Sequence, residues 1–285
     1  MGDPSTRPGG VDRVRIASQR LLSGGEDQRE DFIHPQRGGR RAHPLPLHIL
    51  HMFGRAFIPI AFLSSLPYVA VAQSGQTVDD LPTTVRQAST PNALRTLVIL
   101  VTGDGGFAKA DREVTDLLLT HGASVVALDS RKYLRDGRTP EQAAADVARL
   151  VRYYLAAWKL DRLIVLGYSR GADMAPFVVR RLPDDLRARI DLVAMFGLAT
   201  TANFHFHWID LVRSVHRPDD VPTAPELTAL RGLNALCVYG TDETDSGCRS
   251  ADSTLVKRYS RNGGHRLTDG YEAAADLIVP FLGAR

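Results

Sequence analysis

A serine between two glycines carries the strongest chemical signal in the sequence. Gly167-Tyr-Ser169-Arg-Gly171 fits the pattern G-x-S-x-G, follows directly on the apolar run at 163–166, and opens a segment with helical spacing. This is the context of a nucleophile elbow, a tight strand-to-helix reversal that leaves no room for side chains beside the serine. Ser169 would then lie at a helix N-terminus, where backbone N–H groups favour developing negative charge. A plain glycine-rich turn is the alternative interpretation.

A serine nucleophile needs a histidine base, and His265 is the best candidate. Enzymes with this elbow carry their residues in the order Ser, acid, His, and His265 is the last histidine of the chain. His205, His207 and His216 come earlier than the expected position. As a metal site, His205-x-His207 has no obvious third ligand nearby, so no metal is expected.

The acid is expected in the loop that follows residues 235–239. Asp245 is the preferred candidate, because it stands close before Cys248 in a loop that a Cys237–Cys248 bridge would hold rigid. Glu243 is the alternative acid, since it has the spacing from Gly240 that is common after such a strand. Asp242 is expected to face solvent.

Two backbone N–H groups are needed to stabilise an oxyanion. One is assigned to Arg170, the residue after the nucleophile. The other is assigned to Gly105 or Gly106 in the glycine-rich turn 102–106. A phosphate-binding role for this turn is excluded, because no G-K-[ST] follows it.

The elements that would position these residues alternate regularly between strand and helix. Continuous apolar runs predict strands that are buried on both faces, and 3.6-residue periodicity with capping residues predicts the helices. The strands are predicted at 97–101, 124–128, 162–166, 190–196, 235–239 and about 255–259, and the helices at 109–121, 139–158, 172–181 and 271–281. This alternation predicts one α/β domain with a mostly parallel sheet flanked by helices and no separate cap domain. The irregular stretch 199–232 is expected to form a lid or one wall of a cleft.

The first seventy residues have a different character. Residues 1–51 are expected to be disordered or an upstream over-extension, since they show no strand or helix periodicity. Residues 52–72 have the layout of a secretory signal peptide, with a positive start, a short apolar stretch and a small-x-small cleavage pattern at 70–72. Translation is therefore expected to start at Met52, with a lead-in at 73–95 and the folded domain at 96–285. An uncleaved membrane anchor is the alternative.

Composition and cysteine usage agree with an exported enzyme. Residues 1–72 carry nine arginines and six acidic residues, so residues 73–285 hold 26 of the 35 basic and 26 of the 32 acidic residues. This neutral balance without a basic run argues against a nucleic-acid partner. The two cysteines, Cys237 and Cys248, are a plausible disulfide in an oxidising compartment.

Several motifs in order resemble the bacterial virulence protein VirJ/AcvB family. They are 102–106 (TGDGG), the turn at 129–133, 138–141 (RTPE), Tyr154 with Trp158, 167–173 (GYSRGAD) with 176–177, the stretch 237–248, and 263–265 (GGH). The resemblance covers about residues 95–283 and implies an exported α/β-hydrolase fold. It also implies hydrolysis of aminoacyl-phosphatidylglycerol, such as the lysyl or alanyl ester, in the periplasm, and a link of one branch to type IV secretion.

Two residues depart from the family pattern. Arg170 replaces a bulky apolar residue, and Arg266 replaces a second histidine. Two added cations near the pocket predict a preference against a lysyl head group through like-charge repulsion.

The expected activity is therefore two-step serine hydrolysis of a membrane phospholipid, without a metal or organic cofactor. Phe204, Phe206 and Trp208 are expected either to contact the membrane interface or to belong to the core. A non-catalytic periplasmic adaptor for secretion-system proteins and a generic exported carboxylesterase are the alternatives.

Overall fold

The computed structural model describes residues 77–90, 95–211, 215–268, 270 and 275–282. The predicted over-extension, signal peptide and cleavage site lie outside these residues, as do residues 271–274 of the predicted last helix. The described remainder of that prediction, 275–281, ends in the 3₁₀ turn Val279–Phe281, so the prediction of an α-helix as far as residue 281 was wrong. No helix within the described ranges has both the length and the apolar character needed to cross a bilayer.

A seven-stranded sheet forms the centre of the molecule, and a two-stranded sheet lies outside it. The strands are β1 Thr83–Arg86, β2 Thr96–Val101, β3 Ser124–Leu128, β4 Arg162–Tyr168, β5 Ile190–Phe196, β6 Thr201–Ala202, β7 Val221–Pro222, β8 Ala235–Gly240 and β9 Lys257–Arg261. The large sheet has the order β1-β3-β2-β4-β5-β8-β9; β1 is antiparallel to β3, and all the other pairs are parallel. The order reverses at β2, which pairs with β3 on one side and β4 on the other. Ligand sites in such sheets lie at the carboxyl ends of the strands beside this reversal.

Helices cover both faces of the sheet. They are α1 Lys109–Thr120, α2 Ser130–Tyr133, α3 Pro140–Ala157, α4 Arg170–Arg181, α5 Asp184–Arg187, α6 Ala224–Leu227 and α7 Gly247–Ser250, with 3₁₀ turns at Trp208–Leu211, Thr228–Leu230 and Val279–Phe281. The start of α3 is fixed by a capping box, in which Thr139 Oγ1 accepts from Gln142 N and Gln142 Oε1 accepts from Thr139 N. Pro140 at the first helical position supports the same boundary.

The residues 97–101 of strand β2 are all apolar because both faces of the strand are buried. Alternate side chains of a strand point to opposite faces. Leu97, Ile99 and Val101 belong to the core cluster that includes α3 and α4, whereas Val98 and Leu100 belong to the cluster that includes α1. Both faces of the strand are therefore buried, as the continuous run predicted.

The predicted strands 97–101, 124–128, 162–166, 190–196 and 235–239 and the three helices from 109 to 181 are all present, with ends that differ by one or two residues. The last strand begins at Lys257 rather than near 255. The irregular stretch 199–232 contains β6, β7, α6 and two 3₁₀ turns. Cys237 and Cys248 form the predicted disulfide, which connects β8 to α7 across the loop that carries the candidate acids.

Candidate active site

Ser169 occupies a strained turn between β4 and α4. Its φ of 51° and ψ of −118° are unusual for a residue with a side chain. The turn is possible only with glycine on both sides. A Cβ on Gly167 would lie 2.3 Å from Gly171 O, and a Cβ on Gly171 would lie 1.9 Å from Val101 O. The sequence thus forms the nucleophile elbow that the G-x-S-x-G pattern predicted.

His265 lies beside Ser169 in the loop after β9. Its Nε2 is 2.8 Å from Ser169 Oγ. The imidazole is stacked on the Tyr168 ring at 5.8 Å and packs closely over Gly197, where a Cβ would lie 2.7 Å from His265 Cε1. These contacts hold the ring in place while its side chain stays 44% exposed to the cleft.

Glu243 is the carboxylate that contacts this histidine. Its Oε1 is 2.6 Å from His265 Nδ1, and the side chain is 10% exposed. Its Oε2 accepts from Gly240 N, and Arg249 donates to the main-chain oxygens of Glu243 and Thr241. The hydrogen bond and charge of Glu243 raise the pKa of His265.

The preference for Asp245 is therefore corrected to Glu243. Asp245 is exposed and lines the same cavity, and its charge only adds to the rise in the His265 pKa. The Cys237–Cys248 bridge does hold this loop, but rigidity does not distinguish two acids two residues apart. The Gly240 spacing does, because it brings Glu243 back over the end of β8. Asp242 is exposed, as expected.

The first predicted oxyanion donor, the Arg170 N–H, lies at the N-terminus of α4. Arg170 is the first residue of this helix, and the first N–H groups of a helix have no acceptor within it. Of the two glycines predicted for the second donor, Gly106 is excluded, because its N already donates to Gly103 O at 2.9 Å. Gly105 stays a prediction, and it does not line the described part of the cavity.

Two other residues of this turn, Gly103 and Asp104, lie at the site. A Cβ on Gly103 would lie 3.2 Å from Ser169 Cβ, and Asp104 lines the cavity together with Ser169. The predicted glycine-rich turn is thus at the site, but the residues that reach the serine's surroundings are two positions earlier in the sequence than expected.

The Arg170 side chain forms a buried ion-pair network. It donates to both Asp104 carboxylate oxygens at 3.0 and 3.2 Å, to Asp210 at 2.8 Å and to Asn203 O at 3.1 Å. Arg217 also donates to Asp210, at 2.6 and 3.2 Å. Arg170 therefore ties the turn after β2 to the irregular stretch, and its charge is neutralised rather than offered to a ligand.

The cavity above Ser169 is large and strongly acidic. It has a volume of about 690 Å³, in the range of ligand-binding cavities. Seven carboxylates and two arginines line it: Asp104, Asp173, Asp210, Asp220, Asp242, Glu243 and Asp245, with Arg170 and Arg217. Burial raises the pKa of Asp173 to about 7, and this carboxylate accepts from Ala199 N at 2.7 Å. Asp173 is therefore partly protonated near neutral pH, and the six other carboxylates against two arginines still give the lining an excess of negative charge.

Sequence reasoning missed Asp104, Asp173, Asp210 and Arg217. Asp173 stands one helical turn after Ser169, a spacing that could have placed it beneath the site. The pairing of Asp210 with Arg170 spans 40 residues and had no local signal. His205 and His207 have their rings 4.9 Å apart, and the described residues contain no cluster of three or more His, Cys, Asp or Glu side chains suited to a metal ion.

Comparison with known sequences decides the family. The sequence model of the bacterial virulence protein (VirJ) family matches residues 95–285, about two thirds of the chain. The chain belongs to the VirJ family. No curated protein matches it.

Solved structures similar to this VirJ-family chain share little sequence with it. Est1E from Butyrivibrio proteoclasticus has 10% identity and a TM-score of 0.51, over 70% of this chain and 92% of that one. A monoacylglycerol lipase from Paleococcus ferrophilus has 14% identity and a TM-score of 0.47, over 72% and 98%. A thioesterase domain from the curacin biosynthetic pathway has 14% identity and a TM-score of 0.47, over 72% and 99%. The fold of this VirJ-family chain is the α/β-hydrolase fold, as predicted.

Proposed function

We propose that the protein is a periplasmic serine hydrolase that cleaves the aminoacyl ester of aminoacyl-phosphatidylglycerol. The observation that carries this proposal is the continuous hydrogen-bonded chain from Ser169 through His265 to Glu243 at the base of the cavity. Membership of the VirJ family supports the hydrolase assignment.

The geometry suits two-step ester hydrolysis. His265 Nε2 takes the proton of Ser169 as Oγ attacks the ester carbonyl, and Glu243 stabilises the imidazolium through Nδ1–H. The backbone N–H of Arg170 binds the oxyanion, and we assign the second donor to the turn at Gly103 and Asp104. His265 then returns its proton to the glycerol oxygen of the leaving lipid. Water, activated by His265, releases the amino acid and restores Ser169.

The charge of the cavity favours a cationic acyl group. Every aminoacyl ester carries an α-ammonium group, and a lysyl ester carries a second cation. The carboxylates of the lining attract both, because opposite charges in a partly desolvated cleft interact more strongly than in water.

The expectation that Arg170 would repel a lysyl group therefore loses its basis. Asp104 and Asp210 neutralise the Arg170 charge. Burial raises the pKa of Tyr168 to about 12, and the charge of the exposed Arg266 acts against this rise. A lysyl ester is thus the better match to the cavity than an alanyl ester.

Export to the periplasm rests on two arguments. The disulfide between Cys237 and Cys248 is typical of proteins that mature in an oxidising compartment. The signal-peptide layout at 52–72 stays a prediction from sequence. A link to secretion-system proteins also stays a prediction.

The test is release of free amino acid from vesicles that contain lysyl- or alanyl-phosphatidylglycerol. We expect release by the wild type, faster from the lysyl lipid, and loss of release in Ser169→Ala. Ser253→Ala changes an exposed serine and serves as the matched control. Turnover of small soluble esters without lipid turnover would replace the proposal with a generic carboxylesterase. No turnover of either would favour the adaptor.

A further inference from the structure

The most exposed large apolar side chain of the described residues lies next to the candidate active site. Trp208 is 66% exposed, and its neighbour Ile209 is 41% exposed. Phe204 and Phe206, which the sequence grouped with Trp208, are buried, so the aromatic stretch divides into a core part and a surface part. Covering a tryptophan and an isoleucine that lie side by side in solvent would be favourable, because apolar surface would be removed from water. Exposed apolar patches of this kind mark interaction sites.

A basic segment lies alongside this exposed pair. Residues 130–138 contain four basic residues and one acidic residue. Backbone hydrogen bonds join this segment to the aromatic stretch, from Phe206 N to Leu134 O at 2.9 Å and from Arg138 N to Phe204 O at 2.8 Å.

Arg131 makes the most direct contact with the exposed tryptophan. Its guanidinium lies 4.7 Å from the centre of the Trp208 ring. Lys132 is paired with Asp129, but no described carboxylate lies within ion-pair distance of Arg131. Trp208, Ile209 and Arg131 are called the docking patch below.

The docking patch shares one short turn with the lining of the active-site cavity. Trp208 and Ile209 belong to the 3₁₀ turn Trp208–Leu211, whose Asp210 is buried in the cavity lining and paired with Arg170. The first two residues of this turn are therefore apolar and exposed, and the third is an acid in the cavity. Arg170 in turn directly follows the nucleophile.

We infer that the docking patch binds the surface of a bilayer that contains anionic phospholipid, and that this binding presents lipid esters to Ser169. An amphipathic indole beside Arg131, which has no carboxylate partner among the described residues, matches the chemistry of a membrane interface. There indole rings favour the headgroup level and basic residues pair with lipid phosphates. The division of charge fits the same orientation: anionic phosphates meet the basic patch, and the cationic acyl group enters the acidic cavity. This inference rests on the proposed function for the identity of the ester but not for the membrane contact.

The fluorescence of Trp208 reports the contact directly. The chain has two tryptophans, so Trp158→Phe leaves Trp208 as the only one. We expect its emission to shift to shorter wavelength and to be quenched by brominated lipid when vesicles contain phosphatidylglycerol, with a weaker response to phosphatidylcholine alone. If Trp158→Phe does not fold, the difference in emission between wild type and Trp208→Phe gives the same signal.

Variants test the energetics by vesicle co-sedimentation. Trp208→Ala should weaken binding to phosphatidylglycerol vesicles by about tenfold or more, and Arg131→Gln by about fivefold. Tyr153→Ser and Lys257→Gln change exposed residues outside the patch and should leave binding unchanged. Equal binding by Trp208→Ala and wild type would overturn the inference. So would a blue shift of Trp208 with rising protein concentration in the absence of lipid, since a second copy would then cover the patch.

Two activity measurements separate this inference from the proposed function. Trp208→Ala should retain hydrolysis of a soluble short-chain ester while losing about tenfold on aminoacyl-phosphatidylglycerol vesicles. Unchanged vesicle hydrolysis in this variant would overturn the docking patch and leave the function standing. Vesicle binding that depends on Trp208 without any release of amino acid would support the docking patch and refute the proposed substrate.

Discussion

Replacing Glu243 by glutamine should distinguish it from Asp245 as the partner of the histidine. Glu243 Oε1 is 2.6 Å from His265 Nδ1, whereas Asp245 is exposed and acts on His265 only through its charge. A glutamine amide directed at Nδ1 would favour the tautomer that cannot accept the serine proton. The equivalent change in serine triads lowers kcat by about 10⁴, so we expect a loss of about 10³ to 10⁴ in Glu243→Gln.

Asp245→Asn is the matched control for this change. The Asp245 charge is screened by solvent, so its removal should change kcat by no more than about threefold. Both variants would be compared with wild type on a soluble ester, with circular dichroism to confirm folding. A large loss in Asp245→Asn beside a small loss in Glu243→Gln would refute the assignment of the acid.

The pH profile gives a second readout of the same contact. Catalysis requires neutral His265, so kcat/KM should fall as pH drops through the pKa of this residue. Glu243 raises that pKa, so the acid limb should lie above that of a free histidine. In Glu243→Gln the residual activity should have its acid limb at lower pH. An unmoved limb would contradict the contact.

The remaining predictions concern stability, each checked by chemical or thermal denaturation. Gly171→Ala should destabilise the fold by more than about 3 kcal/mol, because its Cβ would meet Val101 O at 1.9 Å, whereas Gly264→Ala, with open space around its Cβ, should be tolerated. Replacement of both cysteines, 237 and 248, by alanine should cost about 3 kcal/mol and lower Tm by roughly 6–12 °C, since the bridge closes a short loop; an unchanged Tm would contradict a formed disulfide. Arg170→Met should cost about 3–5 kcal/mol because Asp104 loses its partner and Asp210 keeps only Arg217, and a stable variant would show that the network contributes little.

The parts of the fold that the sequence predicted are those determined by residues close together in the chain. The apolar runs of β2 to β5 and β8 fix strands because both faces are buried, and the capping box at Thr139 fixes the start of α3. The elbow was predictable for the same reason, since Gly167 and Gly171 are required by close backbone approaches within one turn. His265 followed from chain order.

The parts that were missed depend on contacts between distant segments. The choice between Glu243 and Asp245 is the exception, because its signal was the local spacing of Glu243 from Gly240, and the argument from loop rigidity outweighed that signal. The role of Arg170 was predicted for its backbone, but its side chain finds Asp104 and Asp210 from 66 and 40 residues away. A cation that sequence placed in the pocket as a repulsive charge is therefore neutralised in a network.

The central claim is that Ser169 is an activated nucleophile, and covalent trapping tests it most directly. The protein would be treated with a fluorophosphonate and the modified peptide identified by mass spectrometry, beside Ser169→Ala and His265→Ala. We expect an adduct on Ser169 in the wild type, none in Ser169→Ala, and strongly slowed labelling in His265→Ala, since the 2.8 Å contact between His265 Nε2 and Ser169 Oγ is what activates the hydroxyl. No adduct on the wild type, or an adduct on another serine, would contradict the account.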